Sequence, residues 1–306
     1  MPNNTDSVSV DHLTDPGSLE VRRRLDRAAP LKTPVLLIGE TGSGKDVWAE
    51  YLHMVSGCHP FLNLHCGDVP ETLLESEWFG HRRGAFTGAE QDFSGKWAVA
   101  GNGTLFLNRI DLLGLAIQAK LLRIIEGRRY YPLGDVRECK VNARFIFSAD
   151  ADIEKRVREG TFRPDLFYRI STLTVPVPPL RERPEDIRSL LIHFARRFGV
   201  EVRLTADGQR RLLDYPWPGN IRELQNLVES ARIFGGVLAD DRVEHLVNDG
   251  ATLLELACAR EWSLDRLEEE YIRFLMRRYP QRTTVARILG ISRKSLYNRL
   301  KRYESS

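Results

Sequence analysis

Up to residue 180, short apolar runs alternate with segments whose apolar residues recur at helical spacing. The runs are short and continuous, which is typical of strands buried on both faces. They cover residues 35–38, 61–64, 103–107, 144–147 and 173–175. The helical pattern occupies residues 18–30, 70–78 and 115–126. Because strands that alternate with helices form parallel sheets, the pattern predicts an α/β fold with helices on both faces of a parallel sheet.

The pattern changes at a proline-rich break that contains Pro176, Pro178, Pro179 and Pro184. Beyond it, residues 184–247 are helical in pattern without a strand signal, which predicts a small all-helical domain packed on the first. The predicted divisions are a loose tail over 1–17, an α/β domain over 18–180, a helical domain over 181–247, a linker over 248–262 and a C-terminal module over 263–306. We expect no sensory domain ahead of the first strand, since even small domains need more than about 40 residues.

A glycine-rich loop follows the first apolar run and leads into a helical segment. The loop and the helix start read Gly39, Glu40, Thr41, Gly42, Ser43, Gly44, Lys45 and Asp46. The glycines let backbone N–H groups converge on phosphate, and the helix N-terminus and Lys45 add positive charge. Asp46 stands where such loops usually carry the Ser or Thr hydroxyl that holds magnesium. A chance match is the alternative, but the flanking strand and helix favour a nucleotide-binding loop.

Composition narrows the class of protein. The 306 residues are 42% hydrophobic and 28% charged, as in ordinary globular domains. No apolar run reaches the roughly 20 residues of a membrane span, and the N-terminus lacks a signal-peptide pattern, so we expect a cytoplasmic protein. The four cysteines show no paired spacing, which fits reduced thiols. We predict no metal site, because packing explains the neighbouring His53, Cys58, His59, His65 and Cys66 better.

The net charge of +3 is unevenly placed along the chain. Residues 271–303 contain ten Lys or Arg and no Asp or Glu. A basic terminal module on a nearly neutral body indicates a polyanionic partner, with a solvated basic face as the alternative.

Residues 79–89 contain three glycines around one aromatic residue, which does not suit the interior of a helix or strand. We expect a turn between two elements, with Phe86 and Thr87 at its tip. An exposed phenylalanine at a loop tip indicates a contact surface.

These residues together resemble the AAA+ activators of sigma-54 RNA polymerase, the bacterial enhancer-binding proteins. The matching motifs are GETGSGKD (39–46), GAFTGA (84–89), FRPDLFYRI (162–170), VPPLRER (177–183) and WPGNIREL (217–224). The resemblance implies that the loop of Gly84, Ala85, Phe86, Thr87, Gly88 and Ala89 contacts sigma-54. It also implies a ring, usually a hexamer, with ATP between adjacent subunits and upstream enhancer DNA as a partner.

The resemblance further assigns roles to three arginines. Arg163 and Arg169 match the arginine fingers, which reach into a neighbouring subunit's pocket and offset charge on the transferring phosphate. Arg222 is similar to the second sensor, which contacts phosphate from the subunit's own lid. A solvated charge is the alternative for any single arginine.

The C-terminal module is similar to the Fis-like helix-turn-helix of the same family. Residues 264–279 predict one helix, and residues 284–292 predict a helix, a glycine turn and an N-cap serine. The next helix, over 293–302, would enter the major groove. The residues expected at DNA are Arg293, Lys294, Ser295, Tyr297, Asn298, Arg299 and Lys301. Those expected in the core are Val285, Ile288, Leu289, Leu296 and Leu300.

The chain departs from the family where a subunit hydrolyses its own nucleotide. The usual Leu-Asp-Glu run at the end of the third strand is replaced by Leu107, Asn108 and Arg109. The asparagine switch falls on His65, and the Thr-Asn of the first sensor falls on Ala149 and Asp150. The resemblance implies ATP and Mg²⁺ as cofactors, but neutral Asn108 binds magnesium more weakly than a carboxylate, and Arg109 cannot accept a proton. Asp111 is not expected to replace Asn108 as a ligand, because strand alternation places it differently.

The positions that act in trans or on sigma-54 are intact, namely Arg163, Arg169 and the GAFTGA loop. We therefore predict a subunit that binds ATP, with Arg109 against the terminal phosphate, and lends its fingers to an active relative in a mixed ring. The alternatives are a self-sufficient, hydrolysing homohexamer and a non-hydrolysing repressor that binds DNA. Short family members without a receiver domain include regulators of hypersensitive-response and type III secretion genes, some of which work as two related proteins.

Overall fold

The computed structural model describes residues 9–67, 70–233, 235–244, 262–278 and 282–303. The described chain forms two compact units, one from residues up to Val200 with Gly219–Ser230, and one from Glu201–Pro218 with residues from Ala231 onwards. The strands are β1 (Val35–Ile38), β2 (Phe61–His65), β3 (Gly80–His81), β4 (Phe93–Ser94), β5 (Thr104–Asn108), β6 (Arg129–Tyr130), β7 (Cys139–Lys140), β8 (Arg144–Ala149), β9 (Leu173–Pro176), β10 (Glu201–Arg203) and β11 (Val237–Ala239).

In the first unit, α-helices alternate with the strands, and further α-helices belong to the second unit. They are α1 (Pro16–Ala28), α2 (Lys45–Ser56), α3 (Glu71–Phe79), α4 (Lys96–Ala100), α5 (Leu115–Gly127), α6 (Ile153–Arg158), α7 (Pro164–Ile170), α8 (Pro184–Phe198), α9 (Ala206–Asp214), α10 (Asn220–Ile233), α11 (Leu264–Arg278), α12 (Arg282–Ile288) and α13 (Arg293–Tyr303).

The predicted parallel sheet is confirmed. Its five strands run in the order β2-β5-β8-β1-β9, and every neighbouring pair is parallel. The side chains of β5 and β8 are buried along the whole of each strand, because both faces of the sheet are covered. The carboxyl ends of β1, β5 and β8 therefore meet at one edge, where Ile38, Asn108 and Ala149 end their strands.

Part of the predicted loose tail is folded. Residues Val10–His12 form a turn of 3-10 helix, and Val10 and Leu13 are buried. The backbone N–H groups of Thr14 and Asp15 donate to one carboxylate oxygen of Asp186 at 2.7 and 2.8 Å. The polar composition of the segment concealed this anchor, because the burial rests on two apolar side chains and the hydrogen bonds go to a residue far along the chain.

The prediction that residues 184–247 contain no strand is wrong in one detail. β10 and β11 pair in parallel over three residues each, from Glu201 opposite Val237 to Arg203 opposite Ala239. Both strands are shorter than a periodicity pattern can reveal, and every β10 side chain is exposed.

The C-terminal helices of the second unit have a small core of their own. Ile272, Leu275, Val285, Ala286 and Leu296 are buried in it, with Leu289 and Leu300 packed against them. Ile288 is 41% exposed, so its predicted place in the core is wrong. It is the last residue of α12, where the chain leaves the helix for the turn.

Candidate functional site

The glycine-rich loop joins β1 to α2 and has the backbone conformation that its glycines allow. Gly42 and Gly44 have φ angles of 78° and 94°, a region that side chains rarely adopt. A Cβ at Gly42 would lie 2.4 Å from the Gly219 carbonyl oxygen, so only glycine fits there. The Ile221 N–H also donates to the Gly42 carbonyl at 3.0 Å. Gly219 and the first turn of α10 thus lie directly against the loop.

Lys45 begins α2 and is 6% exposed. Its ammonium donates to the carbonyls of Gly39 at 2.5 Å and Glu40 at 2.9 Å. Burial lowers the pKa of Lys45, and the negative charge of Asp150 opposes that shift. A buried ammonium bonded within the loop is the residue type and position that phosphate binding requires.

A buried asparagine fixes the loop from the other side. The Asn220 amide nitrogen donates to the Glu40 carboxylate and to the Thr41 carbonyl, both at 3.1 Å, and its oxygen accepts the Leu180 N–H at 2.7 Å. Arg181 makes a bidentate ion pair with Glu40 at 2.7 and 2.9 Å, which lowers the pKa of that carboxyl. Sequence reasoning did not single out Asn220 or Arg181, although both lie inside matched motifs.

A cavity of about 440 Å³ opens over the loop at the carboxyl edge of the sheet. Eight predicted nucleotide-binding residues line it, and they are Thr41, Gly42, Gly44, Lys45, Asp46, Asn108, Arg109 and Arg222. His65 and Arg197 line it as well. Of the other predicted nucleotide contacts, Gly39 and Glu40 bond to Lys45 through their carbonyls, and Ser43 is buried within the loop. The structure thus brings the predicted pocket together within the first unit.

Two hydrogen bonds hold the side chain of Asn108 in one orientation. Its amide nitrogen donates to the Asp46 carboxylate at 2.9 Å, and its oxygen accepts the Ser148 hydroxyl at 2.7 Å. Asn108 is 5% exposed. Two hydrogen bonds in a buried site therefore fix which end of the amide faces Asp46. No sequence pattern points to Ser148, since its contact with Asn108 depends on the register between β5 and β8.

Arg109 follows Asn108 in the left-handed backbone region, with a φ of 61°. Its guanidinium grips Asp111 through Nε, at 3.2 Å from both carboxylate oxygens, and through Nη2 at 3.0 Å. Nη1 donates to the Thr41 hydroxyl at 3.2 Å, and Nη2 lies 3.8 Å from Asp150. The Asp111 side chain is fully buried, so the arginine is oriented by a rigid partner. Asp111 raises the pKa of Arg109.

The other altered positions also face this edge. His65 is the register partner of Asn108 on β2. Asp150 accepts the Thr41 hydroxyl at 3.3 Å, while Ala149 before it is buried and offers no polar side chain. Asp111 lies in the 3-10 turn Ile110–Leu112, beyond the end of β5, and accepts hydrogen bonds from Arg109. The carboxylates near the cavity are engaged by protein donors.

The predicted fingers lie away from their own cavity. Arg163 caps α7 and forms an ion pair with Asp165 at 2.7 Å, and Arg169 is exposed in the last turn of the same helix. Neither is among the described residues that line the cavity. Arg222 does line it, from an exposed position at the start of α10.

The GAFTGA loop forms the tip of the hairpin made by β3 and β4. Gly84 N–H bonds to the Ala89 carbonyl at 2.8 Å and closes the loop. Gly84 and Gly88 have φ angles of 83° and 100°, and a Cβ at either would meet open space, so backbone conformation alone requires glycine there. Phe86 is 43% exposed, and its ring packs edge-on against His81 at 5.0 Å.

A second hairpin, formed by β6 and β7, supports the first. Arg82 bonds to Asp92 beside the loop and to Asp135 of the second hairpin, both at 2.6 Å. The Arg82 N–H also donates to the Leu133 carbonyl at 2.9 Å. The Arg137 backbone and the Arg82 guanidinium hold the pKa of Asp135 well below its usual range. The loop tip therefore sits on two braced hairpins.

The helix-turn-helix has the predicted turn. Gly290 has a φ of 66°, and the Ser292 hydroxyl accepts the Ser295 N–H at 3.1 Å at the start of α13. Tyr297 is 58% exposed, whereas Arg299 forms an ion pair with Glu268 of α11. The predicted DNA contacts whose side chains lie outside the described part are Arg293, Lys294, Asn298 and Lys301.

Three segments of the chain match known families. Residues 13–176 match the Sigma-54 interaction domain, residues 181–246 match the AAA+ ATPase lid domain, and residues 263–303 match the Fis family of bacterial regulatory proteins. Among the helices that the structure describes, none is long and apolar enough to cross a membrane.

Two relatives that match more than nine tenths of the chain are transcriptional regulators by name. The transcriptional regulatory protein FlbD of Caulobacter vibrioides is 36% identical, over 99% of this chain and 72% of that protein. The sigma54-dependent transcriptional activator SfnR of Pseudomonas putida is 37% identical, over 94% of this chain and 86% of that protein. The crystal structure of NtrX from Brucella abortus in complex with ATP is similar at a TM-score of 0.70 and 27% identity, over 97% of this chain and 69% of that chain.

Proposed function

Because this chain belongs to the sigma-54-dependent transcriptional activators, we propose that it is a member of that family whose own ATP hydrolysis is impaired. It has an ATP-binding AAA+ fold and a DNA-binding helix-turn-helix. It binds ATP over Lys45, hydrolyses it slowly or not at all, and works in a mixed ring with a relative that does hydrolyse. Its GAFTGA loop contacts sigma-54, and α13 enters the major groove of upstream DNA.

The observation that carries this proposal is the pairing of Arg109 with buried Asp111. Arg109 stands where the attacking water needs a group that accepts or orients its proton. A guanidinium remains protonated and offers only donors. Asp111 and Asp150 both lie against the Arg109 guanidinium, so neither is free to serve as the base. Losing a positioned base typically costs roughly 10²–10⁴-fold in rate.

The outward-facing features support a role for this subunit in a ring. Arg163 and Arg169 are not among the residues that line the cavity of their own subunit, which supports a role as fingers for a neighbour's pocket. Phe86 sits at the tip of a braced hairpin and is 43% exposed. An exposed apolar side chain on a supported loop is suited to bind another protein.

The test compares ATP turnover by the purified chain with turnover by its mixture with a relative that carries Asp and Glu at the strand end. We expect background turnover alone and robust turnover in the mixture. Arg163→Ala in this chain should lower the mixture's rate although this chain's own pocket is silent. The matched control is Arg158→Ala, an exposed arginine on the neighbouring helix α6, which should leave the rate unchanged. Robust turnover by the chain alone would rule the proposal out.

Transcription from a sigma-54 promoter separates an activating partner from a repressing one. The proposed subunit raises transcription when added to its relative. A chain that only lowers transcription, at any ratio of the two proteins, is instead a non-hydrolysing repressor.

A further inference from the structure

The pocket carries a permanent positive charge on Arg109, which directly follows Asn108, the position at which nucleotide-binding AAA+ folds hold a magnesium ion. Magnesium in such sites is held by one or two carboxylates or hydroxyls together with phosphate oxygens and water. The side chains around the cavity do not fit such an ion. Among the described residues, no cluster of three or more His, Cys, Asp or Glu side chains could hold a metal by itself, so a magnesium site would depend on the one or two side chains beside the phosphates.

Each side chain that could bind the ion already accepts a hydrogen bond from another group of the protein. Asn108 turns its NH₂ group, a donor that cannot ligate a cation, towards Asp46, and its oxygen accepts the Ser148 hydroxyl. Asp111 accepts three contacts from Arg109 and a fourth from the Asp150 N–H at 3.2 Å. Asp46 replaces the hydroxyl that usually follows the lysine, and its carboxylate accepts the Asn108 amide N–H at 2.9 Å. A divalent ion would also face repulsion from the Arg109 guanidinium.

We infer that this pocket binds ATP without a divalent metal, and that Arg109 supplies the charge and hydrogen bonds to phosphate that the ion supplies elsewhere. This inference rests on the ATP binding proposed above. Arg109 is placed for that role because Nη1 already bonds to Thr41 of the phosphate-binding loop and its side chain is 28% exposed at the cavity.

The hydrogen bonds from Arg109 to Asp111 leave other N–H groups of the guanidinium available for phosphate oxygens. Nε and one side of Nη2 form the fork that holds Asp111, while Nη1 points to the loop. A guanidinium has five N–H donors, so the edge turned to the cavity can meet phosphate oxygens. Asp111 is buried and bidentate, which fixes the plane of the guanidinium before nucleotide arrives.

The direct experiment titrates the full chain with ATP and with a fluorescent methylanthraniloyl-ATP, in excess MgCl₂ and in excess EDTA. No substitution is needed, so protein folding does not complicate the first result. We expect the two dissociation constants to agree within about threefold, a free-energy difference under 1 kcal/mol. A Kd that rises tenfold or more in EDTA overturns the inference.

Two variants identify Arg109 as the group responsible. Because Arg109→Gln alone would leave a buried carboxylate unpaired, it is made together with Asp111→Asn and compared with Asp111→Asn alone. Removing a charged hydrogen-bond donor costs about 1.5–3 kcal/mol, or roughly 10- to 100-fold in affinity. We expect that loss for the double variant relative to Asp111→Asn, in MgCl₂ and EDTA alike. Equal affinity of the two variants overturns the role of Arg109.

The failure of this inference is distinguishable from the failure of the proposed function. ATP turnover by the wild-type chain alone contradicts the hydrolysis-impaired subunit, whatever EDTA does to binding. Magnesium-dependent binding without turnover contradicts only the metal-independent pocket.

Discussion

Asn220 donates its side-chain amide to the Glu40 carboxylate at 3.1 Å, across 180 positions of sequence. The same amide reaches the Thr41 carbonyl, and its oxygen accepts the Leu180 N–H. One fully buried side chain therefore fixes the phosphate-binding loop to the start of α10. Because the first turn of α10 also presents Arg222 to the cavity, the contact links two groups of proposed nucleotide ligands.

Removing this amide should weaken both folding and ATP binding. Asn220 has a φ of 54°, so Asn220→Gly removes the side chain without imposing a strained backbone. The unpaired groups left behind should lower the free energy of unfolding by about 1–3 kcal/mol. Denaturant unfolding measures this, and ATP titration should show a higher Kd. The control is Asn142→Gly at an exposed position, and equal effects of the two substitutions would contradict the prediction.

The N-terminal segment should make stability sensitive to mild acid. The ring of His12 packs against the ring of His193 on α8, with 4.1 Å between the centroids and a tilt of 36°. The Nε2 atom of His193 is buried and has no hydrogen-bond partner among the described residues. Burial lowers the pKa of His193, and His12 and Arg197 add to that shift. The unfolded chain therefore takes up the proton first, near pH 6.5.

Stability should consequently fall as pH drops from about 6.5 towards the lower folded pKa, and level off below it. His193→Leu removes this titration, so the gap between variant and wild type should change in the variant's favour between pH 7.5 and pH 5.5. Burial also lowers the pKa of His53. Because His53 is present in both proteins, its effect on stability cancels when the variant is compared with the wild type. A gap that does not vary with pH would show that His193 does not titrate with folding.

The loop at Phe86 should affect transcription without affecting nucleotide or DNA. Phe86→Ala removes an exposed ring that packs only edge-on against His81, so we expect little change in stability. ATP and DNA binding should persist, while activation by the mixed ring should fall. Tyr131→Ala is the matched control, since Tyr131 is 54% exposed on the supporting hairpin. Full activation with Phe86→Ala would contradict a sigma-54 contact there.

The sheet and the phosphate-binding loop were predictable because each depends on a local pattern. Continuous apolar runs mark strands such as β5 and β8, whose side chains are buried on both faces. The glycines at 42 and 44 mark a loop whose backbone needs positive φ angles. The substitution of Asn108 and Arg109 was also visible in the sequence, which located the change in chemistry.

The contacts that give this change its meaning were not predictable. Asn108 bonds to Ser148 and Asp46, and Arg109 to Thr41, through contacts set by strand register and loop shape. Asn220 reaches Glu40 across the fold in the same way. The strands β10 and β11 were not predicted because they span only three residues each. The folded part of the N-terminal tail was not predicted because it depends on hydrogen bonds to Asp186, far along the chain. Sequence patterns carry local periodicity, whereas these features depend on pairs of residues far apart in the chain.

Restoring the family residues should restore hydrolysis. The variant combines Asn108→Asp and Arg109→Glu with Asp111→Asn, because a glutamate beside the buried Asp111 would otherwise leave two carboxylates without a cation. A carboxylate ligand and a positioned base return together, which should raise the rate roughly 10²-fold or more. Asp111→Asn alone serves as the control and should stay at background.

The most direct test of the central claim is steady-state phosphate release by the purified wild-type chain, with excess ATP and MgCl₂, beside that triple variant. We expect background release by the wild type and a clear gain in the variant. Brisk release by the wild type, unchanged or lowered in the variant, would contradict it.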